Sequence, residues 1–237
     1  FILLLLVFFF GEIAISLSDK GYPSLLKDEE VPFSLLLDNQ FSDFDETSVI
    51  DREVNDFLKR WRIQGASVAI TKDERLVYAK GFGLANSETG EAVQPGHLFR
   101  IASVSKLITA VAVLKLAESG SLDLDERIFG PSGILNDSMF LSYSDPRVEQ
   151  ITIRHLLNHT AGWSRYSGDP MFNSLYIARK MKVDPPAGLD HIIRFALSNR
   201  LNYVPGSRYS YSNLGYAILG KVIERKSGML YQDYVVM

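Results

Sequence analysis

Ser103 and Lys106 are the two residues of this sequence whose types and spacing most directly indicate chemistry. They lie three residues apart at the predicted start of a helix, where positions i and i+3 share one face. A lysine amine placed there can take the proton of the serine hydroxyl, provided that its own positive charge is suppressed. This pairing is one way to turn an unreactive hydroxyl into a nucleophile.

The spacing Ser-x-x-Lys is weak evidence by itself, because a chain with this many serines and lysines contains it about once by chance. It occurs twice, at Ser103 with Lys106 and at Ser24 with Lys27. Three acidic residues follow Lys27 and keep it protonated, whereas Lys106 opens an apolar helix, where burial disfavours the charged amine. The structural alternative for Ser103 is a helix N-cap beside a lysine that extends to solvent.

Tyr211 and Asn213 form a second candidate pair, placed after Pro205 and Gly206 and just before another apolar helix. A tyrosine near a cationic lysine can lose its proton and act as a base, and an asparagine side chain can bind a substrate amide. The alternative is a tyrosine that packs in a loop and an asparagine that caps the helix. Only together with the serine and lysine does this pair favour catalysis.

The elements that must position these residues follow from hydrophobic periodicity. An apolar stripe predicts a helix over residues 48–63, capped by Ser48. Two strands over residues 66–71 and 76–82 flank a polar turn and predict a hairpin. A helix over residues 103–119 is apolar around nearly its whole circumference, which predicts that it is buried. Further helices are predicted over residues 151–158, 189–198 and 213–226.

Composition narrows the class of protein. The 237 residues are enough for one or two domains with a large core. A formal net charge of −3 and the lack of a Lys/Arg cluster argue against binding to nucleic acid. The lack of cysteine excludes disulfides, a thiol nucleophile and a cysteine-based zinc site. His155 and His159 have a spacing compatible with a metal, but without a His-Glu-x-x-His motif we expect a structural role.

An uncharged apolar run covers residues 1–11 and is too short to span a membrane core about 30 Å thick. It is typical of the apolar region of a secretory signal peptide, and an uncleaved membrane anchor is the alternative. We therefore expect a signal peptide or anchor over residues 1–18 and an irregular tail over residues 19–47. The protein is predicted to be exported, to the periplasm or outside the cell, with membrane contact only through this first segment.

Three segments, in this order and spacing, resemble the serine β-lactamase and penicillin-binding protein superfamily, in particular its class C β-lactamase-like branch. The first is Phe-Arg-Ile-Ala-Ser-Val-Ser-Lys at residues 99–106. The second, residues 151–162, is similar to the recurrent Leu-Leu-x-His-Thr-Ser-Gly segment, with Ala161 where serine is usual. The third runs from Pro205-Gly206 through Tyr-Ser-Asn to Glu224. The resemblance covers about residues 48–237.

The resemblance implies a mixed α/β (α+β) fold in which helices flank an antiparallel sheet and an all-α region is added. It implies that Ser103 attacks an amide, β-lactam or ester carbonyl and forms an acyl-enzyme, while Lys106 accepts or relays the proton. Tyr211 would assist as a base, mainly toward the water that releases the acyl group, and Asn213 would bind the substrate's carbonyl side chain. One oxyanion N–H would come from Ser103. No metal or organic cofactor is implied.

The sequence also departs from the family pattern. The family has a further motif, Lys-Thr-Gly or His-x-Gly, on a late strand of the sheet, and neither is found where it would fit. We therefore expect residues 48–237 to be a hydrolase domain that lacks its late strands and is inactive by itself.

The sequence leaves the substrate open among a β-lactam, a D-amino peptide and an ester, and it leaves the oligomeric state open. The aromatic residues Trp163, Tyr166, Phe172 and Tyr176 are expected either to line a substrate pocket or to pack away from solvent. Two other functions stay open as well. One is a non-catalytic protein of the same fold that binds peptidoglycan or a partner, and the other is an intracellular esterase with an apolar anchor.

Overall fold

The computed structural model describes residues 37–236, which form two compact units divided after Arg100. The predicted signal peptide or anchor over residues 1–18, and most of the predicted tail, lie outside these residues. Within the described part of the chain, no helix is both long enough and apolar enough to cross a membrane.

In its described residues, 37–100, the first unit combines one α-helix with a three-stranded antiparallel sheet, and the predicted helix and hairpin are confirmed. Leu58 of the helix packs against Tyr78 and Phe82 of the second strand. That strand is longer than predicted because it also pairs with a short third strand. The elements are α1 (Ser48–Trp61), β1 (Gly65–Lys72), β2 (Arg75–Asn86) and β3 (Glu91–Ala92), with sheet order β1-β2-β3.

Residues 37–47, the described part of the predicted tail, include two segments of local structure. They form two 3-10 turns, Asn39–Ser42 and Asp45–Thr47. The buried Ser42 hydroxyl donates to Ala79 O and accepts from Ala79 N, and Asn39 Oδ1 accepts from Gly81 N. These polar side chains satisfy backbone groups of β2, a role that hydrophobic periodicity does not detect.

The second unit consists of helices and loops, with one isolated β-bridge between Arg127 and Thr152 among its described residues. Its central helix begins after the N-cap Ser212 and ends at Gly228, whose φ of +71° suits glycine, in agreement with the prediction. This helix packs against the first two helices of the unit. The helices are α2 (Ser105–Glu118), α3 (Ile153–Leu157), α4 (Ser174–Met181), α5 (Leu189–Leu197), α6 (Asn213–Ser227) and α7 (Tyr231–Val235).

Helix α2 differs from its prediction in two respects. It begins at Ser105 rather than at residue 103, and the expectation that it is buried on all sides is wrong. Ala112, Val113 and Leu116 are buried, and α2 packs against α6 and α7. An apolar circumference does not reveal which face meets a neighbour, so periodicity overestimated burial. The exposed apolar residues of α2, between 44% and 62% exposed, are Leu107, Ile108, Val111 and Leu114.

Backbone hydrogen bonds join residues 159–162, which follow α3, to residues 202–210, which lead into α6. Gly162 has a φ of +110°, a conformation that other residues rarely adopt, and this permits its close approach to the second segment. The pairing fixes the chain immediately before Tyr211. The hydrogen bonds run from Asn202 N and Tyr203 N to Gly162 O, from Gly206 N to Thr160 O, and from Ser210 N to His159 O.

We predict that Gly162→Ala destabilises the protein, whereas Gly188→Ala does not. A Cβ at Gly162 would lie 2.6 Å from Tyr203 O, and the strained φ adds to this clash. Together they should lower the free energy of unfolding by at least about 2 kcal/mol. Gly188 has a φ of −70° and no atom within 4 Å of its added Cβ, so it is the matched control. Urea unfolding of both variants is the measurement, and equal stabilities would contradict the role of Gly162.

Candidate active site

Ser103 lies in a 3-10 turn, Ala102–Val104, directly before α2, and Lys106 lies in the first turn of that helix. Lys106 Nζ donates a hydrogen bond to Ser103 Oγ at 3.3 Å. The Ser103 residue is exposed, so a substrate can reach its hydroxyl, while Lys106 is partly buried. The structure therefore brings the predicted i, i+3 pair into contact at an accessible position.

The backbone is strained immediately before Ser103. Ala102 has a φ of +44°, in the left-handed region, where an L-residue with a Cβ costs about 1–2 kcal/mol. Strained residues of this kind persist only where the surrounding structure enforces them, and they are concentrated at functional sites. This strained residue lies directly before the exposed Ser103 hydroxyl.

Tyr211 and Asn213 reach the same point from the start of α6. Tyr211 Oη lies 2.7 Å from Ser103 Oγ, and Lys106 Nζ donates to Asn213 Oδ1 at 2.7 Å. Ser212 caps the helix by accepting a hydrogen bond from Gly215 N, which places Tyr211 just before the helix and Asn213 in its first turn. The four side chains predicted from sequence thus form one hydrogen-bonded group.

The Lys106 ammonium is close to two aromatic rings at the site. It lies 4.9 Å from the centroid of the Tyr211 ring and 5.7 Å from that of Tyr216, within the range of cation–π attraction. Burial raises the pKa of Tyr211, but the Lys106 hydrogen bond, the Ser103 hydroxyl and the Lys106 charge together lower it below the usual 10.0. Tyr211 therefore loses its proton more readily than an ordinary tyrosine, and the phenolate that results can accept a proton from Ser103.

Asp169 is a residue of the site that the sequence did not reveal. Its Oδ2 accepts from Asn213 N at 2.9 Å, and its Oδ1 accepts from Met171 N at 3.0 Å. Its charge acts against that of Lys106, because it raises the pKa of Tyr211. A single aspartate in the irregular loop before α4 carries no sequence signal for this contact.

His159 contacts the Tyr-Ser-Asn segment that leads into α6. Its ring centroid lies 4.6 Å from that of Tyr211 and 5.0 Å from that of Tyr216. Its Nδ1 accepts from Ser212 N at 3.2 Å, so the neutral ring carries its proton on Nε2. Burial lowers the pKa of His159, and the nearby Lys106 charge lowers it further. The neutral histidine therefore fixes Tyr211 by stacking and by the adjacent hydrogen bond.

His155 has a comparable structural use. Its Nδ1 accepts from Thr152 N at 3.2 Å and completes a capping box at the start of α3. Both histidines with metal-compatible spacing therefore use Nδ1 to satisfy backbone N–H groups, as expected for a structural role. Across residues 37–236, no three potential metal ligands of the His, Cys, Asp or Glu type are grouped together.

Comparison with known proteins identifies the family that this arrangement belongs to. The chain belongs to the Beta-lactamase family, whose model matches residues 50–236. Esterase EstB from Burkholderia gladioli is 32% identical over 187 residues, which are 76% of this chain and 45% of that protein. Penicillin-binding protein 4* from Bacillus subtilis strain 168 is 31% identical over 160 residues, which are 68% and 32% of the two proteins.

Solved structures confirm the predicted β-lactamase/transpeptidase-like fold. The octameric penicillin-binding protein homologue from Pyrococcus abyssi has a TM-score of 0.61 and 30% sequence identity. The match covers 81% of this chain and 42% of that structure. The chain thus spans less than half the length of each of these three relatives.

We predict that His159 lowers the free energy of unfolding of the protein as the pH becomes acid. The pKa of His159 is lowered in the folded state, so below the ordinary value of 6.5 the unfolded chain binds its proton first. The stabilisation is complete above that value and is lost as pH falls through the folded pKa. His159→Asn is the comparison, because its amide oxygen can accept from Ser212 N and it does not titrate.

The measurement is the free energy of unfolding in urea at pH values of about 7.5 and 5. The wild-type protein should lose more stability between the two values than His159→Asn does. An equal loss in both proteins would mean that His159 titrates as it does in the unfolded chain.

Proposed function

We propose that the protein is a serine hydrolase that cleaves an ester, amide or β-lactam bond through an acyl-enzyme on Ser103. The observation that carries the proposal is the distance of Ser103 Oγ from two proton-handling groups, 2.7 Å to Tyr211 Oη and 3.3 Å to Lys106 Nζ. An exposed hydroxyl between such groups has the arrangement that nucleophilic catalysis requires. Membership of the Beta-lactamase family, with relatives named as an esterase and a penicillin-binding protein, supports it.

In the proposed acylation step, Ser103 Oγ bonds to the carbonyl carbon while its proton passes to the Tyr211 phenolate. The carbonyl π electrons move to oxygen, and the backbone N–H of Ser103 is the proposed donor to this oxyanion. When the carbonyl reforms, the leaving group departs with the proton held by Tyr211. The shorter distance favours Tyr211 over Lys106 as the direct proton acceptor, with Lys106 as the cation that stabilises the phenolate.

Deacylation repeats these steps with water in place of Ser103. Tyr211 takes a proton from the water, whose oxygen attacks the acyl carbon, and the proton then returns to Ser103 Oγ as the acyl group leaves. Asn213 Oδ1 is bound by Lys106, so its Nδ2 hydrogens are the donors left for a substrate carbonyl. Each step uses only side chains and one backbone N–H of this chain together with water, so the proposal needs no metal or organic cofactor.

We infer that the substrate is a small molecule or peptide and that the protein acts after export. The uncharged apolar run at residues 1–11 supports export, and the family match from residue 50 to 236 supports a hydrolase domain over residues 48–237. A protein of the same fold that binds but does not hydrolyse would show neither covalent labelling nor turnover.

We predict that Ser103→Ala abolishes covalent labelling of the full-length protein by a fluorescent fluorophosphonate or penicillin. Hydrolysis of 4-nitrophenyl acetate should fall by at least about 10³-fold, because the nucleophile is removed. Ser105→Ala is the matched control, since Ser105 is also exposed and lies two residues away. Labelling that survives in Ser103→Ala, or is lost equally in both variants, would place the nucleophile elsewhere.

We predict that the pH dependence of kcat/KM reports the ionisation of Tyr211. The rate should rise with pH through the pKa of Tyr211, which lies below 10.0, and level off above it. Tyr211→Phe should remove this limb and reduce kcat/KM by about 10²–10⁴-fold. Lys106→Gln should move the limb to higher pH, since it removes the cation that lowers the pKa. A limb that stays in place in both variants would exclude Tyr211 as the base.

A further inference from the structure

A cavity of about 470 Å³ adjoins Tyr211 within the second unit. It lies between the turn after Ser164 and the segment that leads into α6, and Tyr211 forms part of its wall. The cavity combines aromatic rings with cations and includes no acidic residue in its lining. The main lining residues are Tyr166, Tyr203, Tyr209, Tyr211, Arg165 and Arg208.

The two arginines of the cavity have no carboxylate partner among the residues that the structure describes. Neither Arg165 nor Arg208 forms an ion pair with any acidic side chain of residues 37–236, whereas Arg147, Arg154 and Arg225 all do. The chain carries a formal net charge of −3, so two unpaired guanidinium groups in one cavity do not reflect a generally basic surface. Such groups are the preferred partners of carboxylates because their planar N–H groups match both oxygens.

Both arginines are tied to the rest of the cavity. The Arg208 guanidinium lies 4.7 Å from the centroid of the Tyr203 ring, which supports it by cation–π contact. Arg165 N donates to Ser210 Oγ at 2.9 Å, which joins the first segment to the residue before Tyr211. The site's own acid, Asp169, is occupied by the N–H groups of Met171 and Asn213 and leaves the cations free for a ligand.

Two of the four cavity tyrosines, Tyr166 and Tyr209, are exposed to solvent instead of packing in the core. Tyr166 is 92% exposed and Tyr209 is 65% exposed. Of the two roles expected for Tyr166, pocket lining and packing, the structure favours lining. Exposed tyrosines with neighbouring arginines offer apolar faces together with hydrogen-bond donors, a combination enriched where proteins bind ligands.

We propose that this cavity is a subsite for a substrate carboxylate, with Arg165 and Arg208 as its specificity-determining residues. The proposal rests on the proposed hydrolase function, since Tyr211 both borders the cavity and lies 2.7 Å from Ser103 Oγ. A substrate whose carbonyl is at Ser103 can therefore extend past Tyr211 into the cavity. The substrate class is an ester or amide with an apolar chain or ring that ends in a carboxylate, on either its acyl or its leaving-group side.

Matched ester pairs test this class of substrate in the full-length protein. Mono-4-nitrophenyl glutarate and 4-nitrophenyl pentanoate differ by a carboxylate in place of a methyl on the acyl side. The second pair, 4-acetoxybenzoate and its methyl ester, moves the carboxylate to the leaving group. The preference is the ratio of kcat/KM for the anionic ester to kcat/KM for its neutral partner. In at least one pair, this ratio should fall about tenfold or more in the double variant Arg165→Gln, Arg208→Gln. A charge-assisted hydrogen bond is worth about this factor.

Comparing esters within one pair removes effects on the Ser103 chemistry, because both esters meet the same nucleophile and base. Arg179→Gln is the control, since it makes the same change of charge at an exposed position of α4 outside the cavity. It should leave both preferences unchanged. If the preferences are the same in the wild type and the double variant while hydrolysis still depends on Ser103, the subsite proposal is wrong and the hydrolase proposal stands.

A binding measurement decides the question without turnover. Calorimetry with the Ser103→Ala variant would use amide analogues of the two ester pairs. The first pair is N-(4-nitrophenyl)glutaramic acid with N-(4-nitrophenyl)pentanamide, and the second is 4-acetamidobenzoate with its methyl ester. The subsite is supported if at least one of the two acids binds more tightly than its neutral partner and if this difference disappears when both arginines are also changed to glutamine. Equal binding within both pairs contradicts it, even if the protein hydrolyses none of the four esters.

Discussion

An ammonium group that is partly removed from water must find its solvation within the protein, and the candidate site is organised around this requirement at Lys106. Asn213 Oδ1 and Ser103 Oγ accept its hydrogen bonds, and the rings of Tyr211 and Tyr216 lie within cation–π distance. The contacts that solvate the cation are therefore the same ones that align the hydroxyl with the phenol. A loss of the charge would both free these side chains and remove the field that favours the phenolate.

The site is assembled from parts of the chain that are far apart in sequence, so its geometry depends on how those parts are held. Ser103 and Lys106 belong to the beginning of α2, while Tyr211 and Asn213 belong to the beginning of α6. The two helices pack against each other, and the backbone pairing of residues 159–162 with residues 202–210 fixes the approach to α6. Helix starts and short paired segments are rigid supports, which suits groups that must meet within hydrogen-bond distance.

Much of this arrangement could be predicted from the sequence, for identifiable reasons. Helix α6 and the hairpin of β1 and β2 have strong periodic patterns with clear ends, and the Ser-x-x-Lys and Tyr-x-Asn residues carry their chemistry in their types and order. Asp169 could not be predicted, because a contact with a backbone N–H leaves no pattern in the sequence. The exposed face of α2 and the turns at residues 38–47 were missed for a related reason, since both depend on tertiary neighbours.

The left-handed torsion at Ala102 has a consequence for how the protein divides its free energy. Folding stability in proteins is only about 5–15 kcal/mol, so even one strained residue takes a measurable share of it. The strained residue lies directly before Ser103, the proposed nucleophile. Glycine adopts this conformation without the steric cost of a Cβ, so a glycine at position 102 would relieve the strain. The strain therefore lowers the stability of the fold at the same place where it fixes the backbone before Ser103.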